Sequence, residues 1–484
     1  MAMRDLRSRL AILVGTVVLA SCTVGPDYKQ PVVDVPDVWE ENATEGVREG
    51  EASIQTWWDN LGDPQLVDLL GRAEEANLDL RQAVARIREA RALRRIVGGE
   101  RYPDINAEGN AAAQQLSESR FDALGGEAVE NYSLGVGLTW EIDVFGRIRR
   151  SVESATAGYE ASIEDYRDVL VTLFSEVARN YVDVRTLQER IDLAESNVEL
   201  QQSTLGLTEA RFDAGLTSAL DTAQAESNLA NTEAQIPSLE TRLNNALNRI
   251  AVLLGEVPGS LDDELEAKKA IPAPPDEVVV GIPADVVRQR PDIRRAERDL
   301  ASQTARIGVA TADLYPRFSI TGFLGLDSAN LGDLFNGDSL TWSVGLPMFA
   351  NLFDGGRVRG QIQVEEARTE ALLALYELTV LVAFEEVEDA LVAYAKERVR
   401  RDRLGRAVEA TQRSVDLVKE QYMAGLTNFQ NVLDSQRSLS SQEDQLAESE
   451  GQVVNNLIGL YTAMGGGWRP DPDQEETLTT AIEP

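Results

Sequence analysis

The sequence contains one unit twice. Ala214-Gly215-Leu216-Thr217 returns as Ala424-Gly425-Leu426-Thr427, Gly146-Arg147 as Gly356-Arg357, and Leu254-Gly255 as Met464-Gly465, each pair 210 positions apart. Nearer the start the spacing is 213, with Tyr102-Pro103 against Tyr315-Pro316 and Leu80-Arg81-Gln82-Ala83 against Ile293-Arg294-Arg295-Ala296. A constant spacing over more than a hundred residues, as from Gly146 to Gly255, means two copies of one unit without insertions over that stretch. Such units are commonly built to be arrayed around an axis.

Composition removes several chemistries. The 484 residues include no histidine and one cysteine, so His-ligated zinc, Cys₄ sites, Ser-His-Asp triads and Cys-His dyads cannot form, nor can an internal disulfide. No metal site, cofactor or catalytic constellation is expected, and the chain does not read as an enzyme. A net charge of −35 repels a nucleic-acid backbone and attracts cations. Aromatic residues are 6 % of the chain, few for a fold resting on one compact core.

The first residues read as an address. Arg4, Arg7 and Arg9 precede a short apolar run, Leu10 to Ala20, which ends in Leu19-Ala20-Ser21-Cys22. This is a signal peptide over 1–21, and the small residues before the sole cysteine look like a lipobox that leaves Cys22 as a lipidated mature N-terminus. Ordinary cleavage nearby is the alternative. Acyl chains contribute about 0.8 kcal/mol per buried CH₂, so several anchor firmly. Beyond this segment no apolar run is long enough for a transmembrane helix.

Two stretches alternate with period two. Tyr132, Leu134, Val136, Leu138, Trp140, Ile142 and Val144 are separated by Ser133, Gly135, Gly137, Thr139, Glu141 and Asp143. Leu340, Trp342, Val344, Leu346 and Met348 alternate similarly with Ser339, Thr341, Ser343, Gly345 and Pro347. Each has a weaker partner upstream, 104–118 and 317–327, across a Gly/Asp/Asn-rich loop, so each is read as a β-hairpin. A soluble sandwich with one wet face would alternate too. The runs reach the roughly 9–11 residues that span a bilayer. A closed barrel needs about eight strands or more, because open edges are not tolerated in lipid. Membrane-spanning strands of this chain must therefore close a barrel shared between subunits.

After Gly146 the period becomes helical. Leu170, Val177, Val184, Ile191, Val198 and Leu205 are spaced by seven, with Leu173, Leu187 and Ala194 in a second seam that Asn180 and Gln201 interrupt. No proline occurs from Arg147 to Asp213, so a helix of ~100 Å is expected. Leu229, Ile236, Leu243 and Ile250 match Leu439, Leu446, Val453 and Leu460 on the returning helices; Pro237, whose counterpart is Ala447, is expected to bend the first of them. Such heptads imply side-by-side helices. Taken alone they fit a pore-free coiled-coil scaffold equally well. The two short turns, Gly215-Leu216-Thr217 and Gly425-Leu426-Thr427, suit a positive-φ glycine followed by a threonine cap for the next helix. Their repetition suggests a contact surface.

The ordered motifs resemble the TolC-like outer-membrane efflux proteins, in the NodT/OprM-type lipoprotein subgroup. Those carrying the resemblance are Cys22-Thr23-Val24-Gly25-Pro26-Asp27-Tyr28, Trp57-Trp58, Asp63-Pro64-Gln65-Leu66, Asn77-Leu78-Asp79-Leu80, Arg290-Pro291-Asp292-Ile293-Arg294-Arg295-Ala296-Glu297, Tyr315-Pro316, Phe353-Asp354-Gly355-Gly356-Arg357 and Met464-Gly465-Gly466-Gly467-Trp468. The resemblance implies an α+β membrane protein: a homotrimer sharing a twelve-stranded transmembrane β-barrel continuous with a twelve-helix periplasmic α-barrel. Each chain is then an internal duplication. The expected division is an arm at 22–63, a first repeat at 64–255, a Pro-rich equatorial linker at 256–280, a second repeat at 281–465, and an equatorial segment with an acidic tail at 466–484.

The implied function is an outer-membrane duct, lipid-anchored and extending into the periplasm. It would pass small molecules from an inner-membrane resistance-nodulation-division pump through a periplasmic adaptor docked on the Gly-Leu-Thr turns. A duct for type I protein secretion is the alternative within the fold. The family's periplasmic iris is closed by acidic side chains on the helix after the second turn. That segment matches Gln430-Asn431-Val432-Leu433-Asp434, in which Asp434 keeps one carboxylate and Asn431 replaces the other, while Asp221 holds the equivalent place in the first copy. Tyr422 keeps the aromatic position before the tip, and Thr427 stands where TolC has an arginine, so the latch differs in detail.

Overall fold

Both sequence periods are present as structure. The computed structural model describes residues 23–36, 38–39, 47–50, 54–115, 117, 128–275 and 277–468. In chain order its elements are β1 (Val47–Glu49), α1 (Pro64–Ala76), α2 (Leu78–Gly99), β2 (Asp104–Gln115), β3 (Ala128–Ile142) and α3 (Arg147–Asp213). There follow α4 (Ala219–Glu233), α5 (Ile236–Leu253), α6 (Asp262–Leu265), β4 (Val278–Val280), α7 (Pro283–Gln289) and α8 (Pro291–Ala312). The last elements are β5 (Arg317–Ser328), β6 (Leu340–Gly345), β7 (Met348–Phe349), α9 (Arg357–Met423) and α10 (Phe429–Ala463). Among the described residues no helix is long and apolar enough to cross a membrane.

The chain forms two compact units. Among the described residues, one comprises 23–32, Arg86–Ile163 and Arg295–Glu377; the other holds the remaining described segments. The first contains an antiparallel sheet in the order β2-β3-β5-β6, with β7 pairing β5 beyond the end of β6. The break between β6 and β7 falls at Leu346-Pro347, because proline has no N–H to give to the ladder. Register puts Leu134 opposite Leu326, Val136 opposite Leu324, and Leu324 opposite Trp342. The apolar residues therefore share one face. That face is bare: Leu134, Val136, Leu324, Trp342, Val344 and Met348 are all exposed. Among the described residues the outer edges of β2 and β6 pair with no strand.

The second unit is helical. Its heptad positions Leu170, Val177, Val184, Leu173 and Leu187 are buried, and Leu187, Ile191 and Ala194 on α3 form a cluster with Leu239 on α5. The two positions that break the seam are satisfied locally. Asn180 donates to the Glu176 carbonyl at 2.7 Å, and buried Gln201 accepts from Thr232 at 3.0 Å. Buried Trp57 stacks on Tyr461 at 5.7 Å, and Trp58 meets Phe174 edge-on at 4.9 Å. Trp468 lies under two guanidinium groups, Arg167 at 4.6 Å and Arg294 at 5.3 Å. Such contacts contribute about 0.5–2 kcal/mol each. They explain why the tryptophans of the arm and of the Gly-rich segment recur in the motif set.

α3 and α9 are each 67 residues long, a span of ~100 Å at 1.5 Å per residue. The returning helices differ. After the first turn come 15-residue α4 and 18-residue α5, broken ahead of Pro237; after the second comes unbroken 35-residue α10. Proline removes an N–H from the ladder and clashes with the preceding turn, so it is tolerated only at the start of a new helix.

Candidate functional site: the helix-hairpin tips

Both tips lie in the helical unit and are built from the same hydrogen bonds. At the end of α3, Gly215 has φ 71°; its N–H donates to the Phe212 carbonyl and the Leu216 N–H to the Arg211 carbonyl, both at 2.8 Å. At the end of α9, Gly425 has φ 72°, and the matching bonds run from Gly425 to Tyr422 at 3.1 Å and from Leu426 to Gln421 at 2.9 Å. This is the Schellman closure. It satisfies two carbonyls left over at a helix end and needs a left-handed residue, which glycine supplies without strain. The next residue in such a motif usually packs back on its helix. Here Leu216 and Leu426 are instead 66 % and 79 % exposed, each held on a rigid turn.

The threonines do not cap the following helices. The N-cap positions belong to Ser218 and Asn428, and the Asn428 side chain accepts from the Asn431 N–H at 3.2 Å. Thr217 donates to the Asp221 carboxylate, and the Asn431 amide donates to Thr427 Oγ1 at 2.8 Å. The physical reason is reach: each threonine lies one residue too early to cap and meets the side chain four positions on. Asp221 and Asn431 thus occupy matching places and make matching contacts. The Asp-to-Asn difference reverses the donor and keeps the bond.

Asp434 lies one turn farther along α10. It is exposed in the chain and accepts from Gln430 at 2.8 Å. The structure therefore places Asn431 and Asp434 on the first turns of α10 with Thr427 just ahead of them, and Asp221 with Thr217 at the other tip. Cys22 lies outside the described residues.

Beneath the second tip is a core: Tyr422, Phe429, Val432 and Leu433, with Ala225 from α4. Tyr422 and Phe429 rings meet at 5.4 Å, and Arg211 lies over the Tyr422 ring at 4.7 Å. Tyr422 is legible in the sequence as an aromatic position; Arg211 above it is not, because no spacing marks a cross-helix contact. Arg150, in the other unit, is equally unmarked. Buried Arg150 binds the segment 24–27, reaching the Val24 carbonyl at 3.2 Å, the Gly25 carbonyl at 3.3 Å and the Asp27 carboxylate at 2.6 Å. The residue 210 positions later is Gly360, and that departure from the repeat is the one signal the sequence offers.

The family model described as "Outer membrane efflux protein" matches residues 69–256 and again 282–466. The chain belongs to the outer membrane efflux protein family. Nodulation protein T of Rhizobium leguminosarum bv. viciae is 31 % identical over 465 residues, covering 95 % of this chain and 94 % of that protein. Solvent efflux pump outer membrane protein SrpC of Pseudomonas putida is 31 % identical over 468 residues, with 93 % and 97 % covered. Among solved structures, the outer-membrane channel OprN superposes with a TM-score of 0.89 at 37 % identity, over 93 % of this chain and 100 % of OprN. The open-state outer membrane channel MtrE of Neisseria gonorrhoeae gives 0.80 at 28 % identity, over 93 % and 99 %. This outer membrane efflux protein is accordingly an efflux channel component, similar throughout to NodT- and OprJ-type proteins.

Proposed function

We propose that three copies of this chain close a shared twelve-stranded barrel in the outer membrane, continued by twelve periplasmic helices. The assembly is the passive exit duct of a tripartite efflux system. The observation that carries this reading is the sheet. Among the described residues it has four strand positions, a bare apolar face and two unpaired outer edges, and in lipid such edges must be paired by other copies. Each chain is read as a duplication of 64–255 and 281–465, joined by 256–280 and flanked by 22–63 and 466–484. Equal helix lengths and identical tip closures at a spacing of 210 support it. Lipidation at Cys22 completes the anchorage. Arg150 seats the residues after it.

The tips supply the partner surface. Leu216 and Leu426 are apolar, exposed and rigidly presented, which suits docking by a periplasmic adaptor that couples the duct to an inner-membrane resistance-nodulation-division pump. Three copies of Asp434 at the narrow end make the resting pore cation-selective, with Asp221 and Asn431 bracing the turns. Like charges around one axis repel one another and attract cations.

Mass measurement in mild detergent, followed by planar-bilayer recording, tests the reading. A trimer is expected, together with a cation-selective pore whose selectivity and periplasmic-side block by trivalent cations fall in Asp434→Ala. A folded membrane-embedded monomer overturns the shared barrel. Unchanged selectivity and block in Asp434→Ala move the constriction elsewhere.

A further inference from the structure

The polar face of the sheet departs from its own pattern in the middle of β5. By register, that face of β5 holds Ser319, Thr321, Phe323, Gly325 and Asp327, against Glu141, Thr139, Gly137, Gly135 and Ser133 on β3. Phe323 is thus a large apolar side chain among small and polar residues over this paired stretch of β3 and β5; Phe349, opposite Arg317, shares the face at the end of the sheet. The residue 213 positions earlier is Asn110, so nothing about the repeat demands an aromatic here.

The ring has a built seat. A Cβ added to Gly135 would lie 2.5 Å from Phe323 Cζ, and one on Gly325 would lie 2.8 Å from it. Phe323 therefore leans off its own row and lies across Gly135 and Gly325, which face each other between β3 and β5. Glu108 of β2 is the partner of Gly135 on its other side, about 4.8 Å from it across the ladder. The Glu108 carboxylate leans the opposite way: a Cβ on Gly137 would meet its Oε1 at 3.1 Å and Asn106 Oδ1 at 2.5 Å. Ring and carboxylate thus rest on adjacent same-face glycines, roughly 6–7 Å apart along the strand. Ordinary side chains at Gly135 or Gly137 would fill the place. Phe323 is half-buried and Glu108 exposed, so both present a surface above that floor.

We infer that Phe323 and Glu108 form a contact site on the duct's wall for organic cations with an aromatic body. This rests on the barrel reading, in which the polar face lines the lumen. An aromatic face attracts both a flat apolar group and a cation, and the carboxylate adds charge. The site is shallow and would retain a passing molecule only briefly, favouring one class of cargo.

The test is block of ion current through the purified protein in planar bilayers. Tetraphenylphosphonium is compared with the aliphatic cation tetrabutylammonium and the aromatic anion tetraphenylborate. Wild type is expected to bind tetraphenylphosphonium best. Phe323→Ala should weaken that block about 3- to 10-fold with little change for tetrabutylammonium, and Phe323→Tyr should retain it. Glu108→Gln should weaken block by both cations. Gly135→Ala, which displaces the ring, should behave like Phe323→Ala. If Phe323→Ala does not assemble, Phe323→Leu keeps apolar bulk without a ring and should lose the same preference. A conducting Phe323→Ala or Phe323→Leu channel with wild-type block overturns the site and leaves the barrel reading intact. A wild-type protein that conducts nothing overturns both.

Discussion

The two tips share a turn and differ in what lies beneath it. Gly215 and Gly425 have nearly the same φ and the same pair of closing bonds, yet the residues around them have diverged. Tyr422, Phe429, Val432 and Leu433 are buried in one cluster; their counterparts 210 positions earlier are Phe212, Ala219, Thr222 and Ala223. Phe212 is 45 % exposed and Ala219 is exposed. The closure fixes the shape of a turn, and the apolar side chains decide how firmly it is held. The same turn thus closes one braced tip and one lighter tip, the braced tip leaning on α4 through Ala225.

The largest expected effect removes what the tips have in common. Leu216→Asp with Leu426→Asp should abolish efflux complementation while trimer abundance stays normal, because both side chains are exposed and contribute little to folding. The single variants sharpen the comparison: if the braced tip dominates docking, Leu426→Asp alone should cost more than Leu216→Asp alone. Wild-type drug tolerance in the double variant would show that the turns are only turns.

The next test addresses the difference. Phe429→Ala deletes a buried ring and should cost about 3–5 kcal/mol in the tip's local stability, read as faster amide exchange over 418–433. Phe212→Ala should change exchange at the first tip by less than about 0.5 kcal/mol, as at other exposed sites. Equal effects would mean that the two tips are braced alike. A third variant moves the helix break. Ala447→Pro places in α10 the ring that stands at the start of α5, and Ala447 is buried mid-helix. It should destabilise the second hairpin by about 3 kcal/mol or more, seen as a lowered thermal midpoint. A neutral result would mean that α10 bends as readily as α4 and α5.

Legibility followed period. The alternation of Tyr132–Ile142 and the sevens of Leu170–Leu205 are local patterns, and β3 and α3 contain them. Pro237 marks a break because proline acts on its own backbone. Interactions without a period are hidden in the sequence. Arg211 over Tyr422, Arg150 on the residues after Thr23, and Phe323 across Gly135 join positions far apart in the chain. At the tips the glycines are legible as left-handed residues. The caps are not, because Ser, Thr, Asn and Asp all suit that place, and only the spacing of Ser218 and Asn428 to their helices decides which residue takes it. Arg150 against Gly360 and Phe323 against Asn110 are positions at which one half abandons the other. Two of the unpatterned contacts, those of Arg150 and Phe323, lie at such departures.

The smallest effect tests such a departure in the long helices. Tyr181 on α3 is fully buried, and 210 positions later stands buried Leu391. One half thus uses a phenol where the other uses an alkyl group. The Tyr181 hydroxyl donates to Asp63 Oδ2 at 2.5 Å, and Asp63 also caps α1 by accepting from the Gln65 and Leu66 N–H groups. The phenol therefore ties α3 to the residue that caps α1, which an alkyl side chain cannot do. Tyr181→Phe keeps the ring and removes the bond, and should cost about 1 kcal/mol near neutral pH. Burial first, and the bond to Asp63 second, push the Tyr181 pKa from 10.0 up to about 12. The unfolded chain loses this proton near its ordinary value while the folded chain keeps it. Between those values the unfolded state binds fewer protons, so stability falls as pH rises. The contribution is complete below about pH 10 and is lost as pH climbs through the folded value. Thermal midpoints of wild type and Tyr181→Phe should differ most at neutral pH and converge across that alkaline window. A constant difference from about pH 7 to 12 would mean that Tyr181 titrates alike in both states, and no difference at any pH would mean that it acts, as Leu391 does, by packing alone.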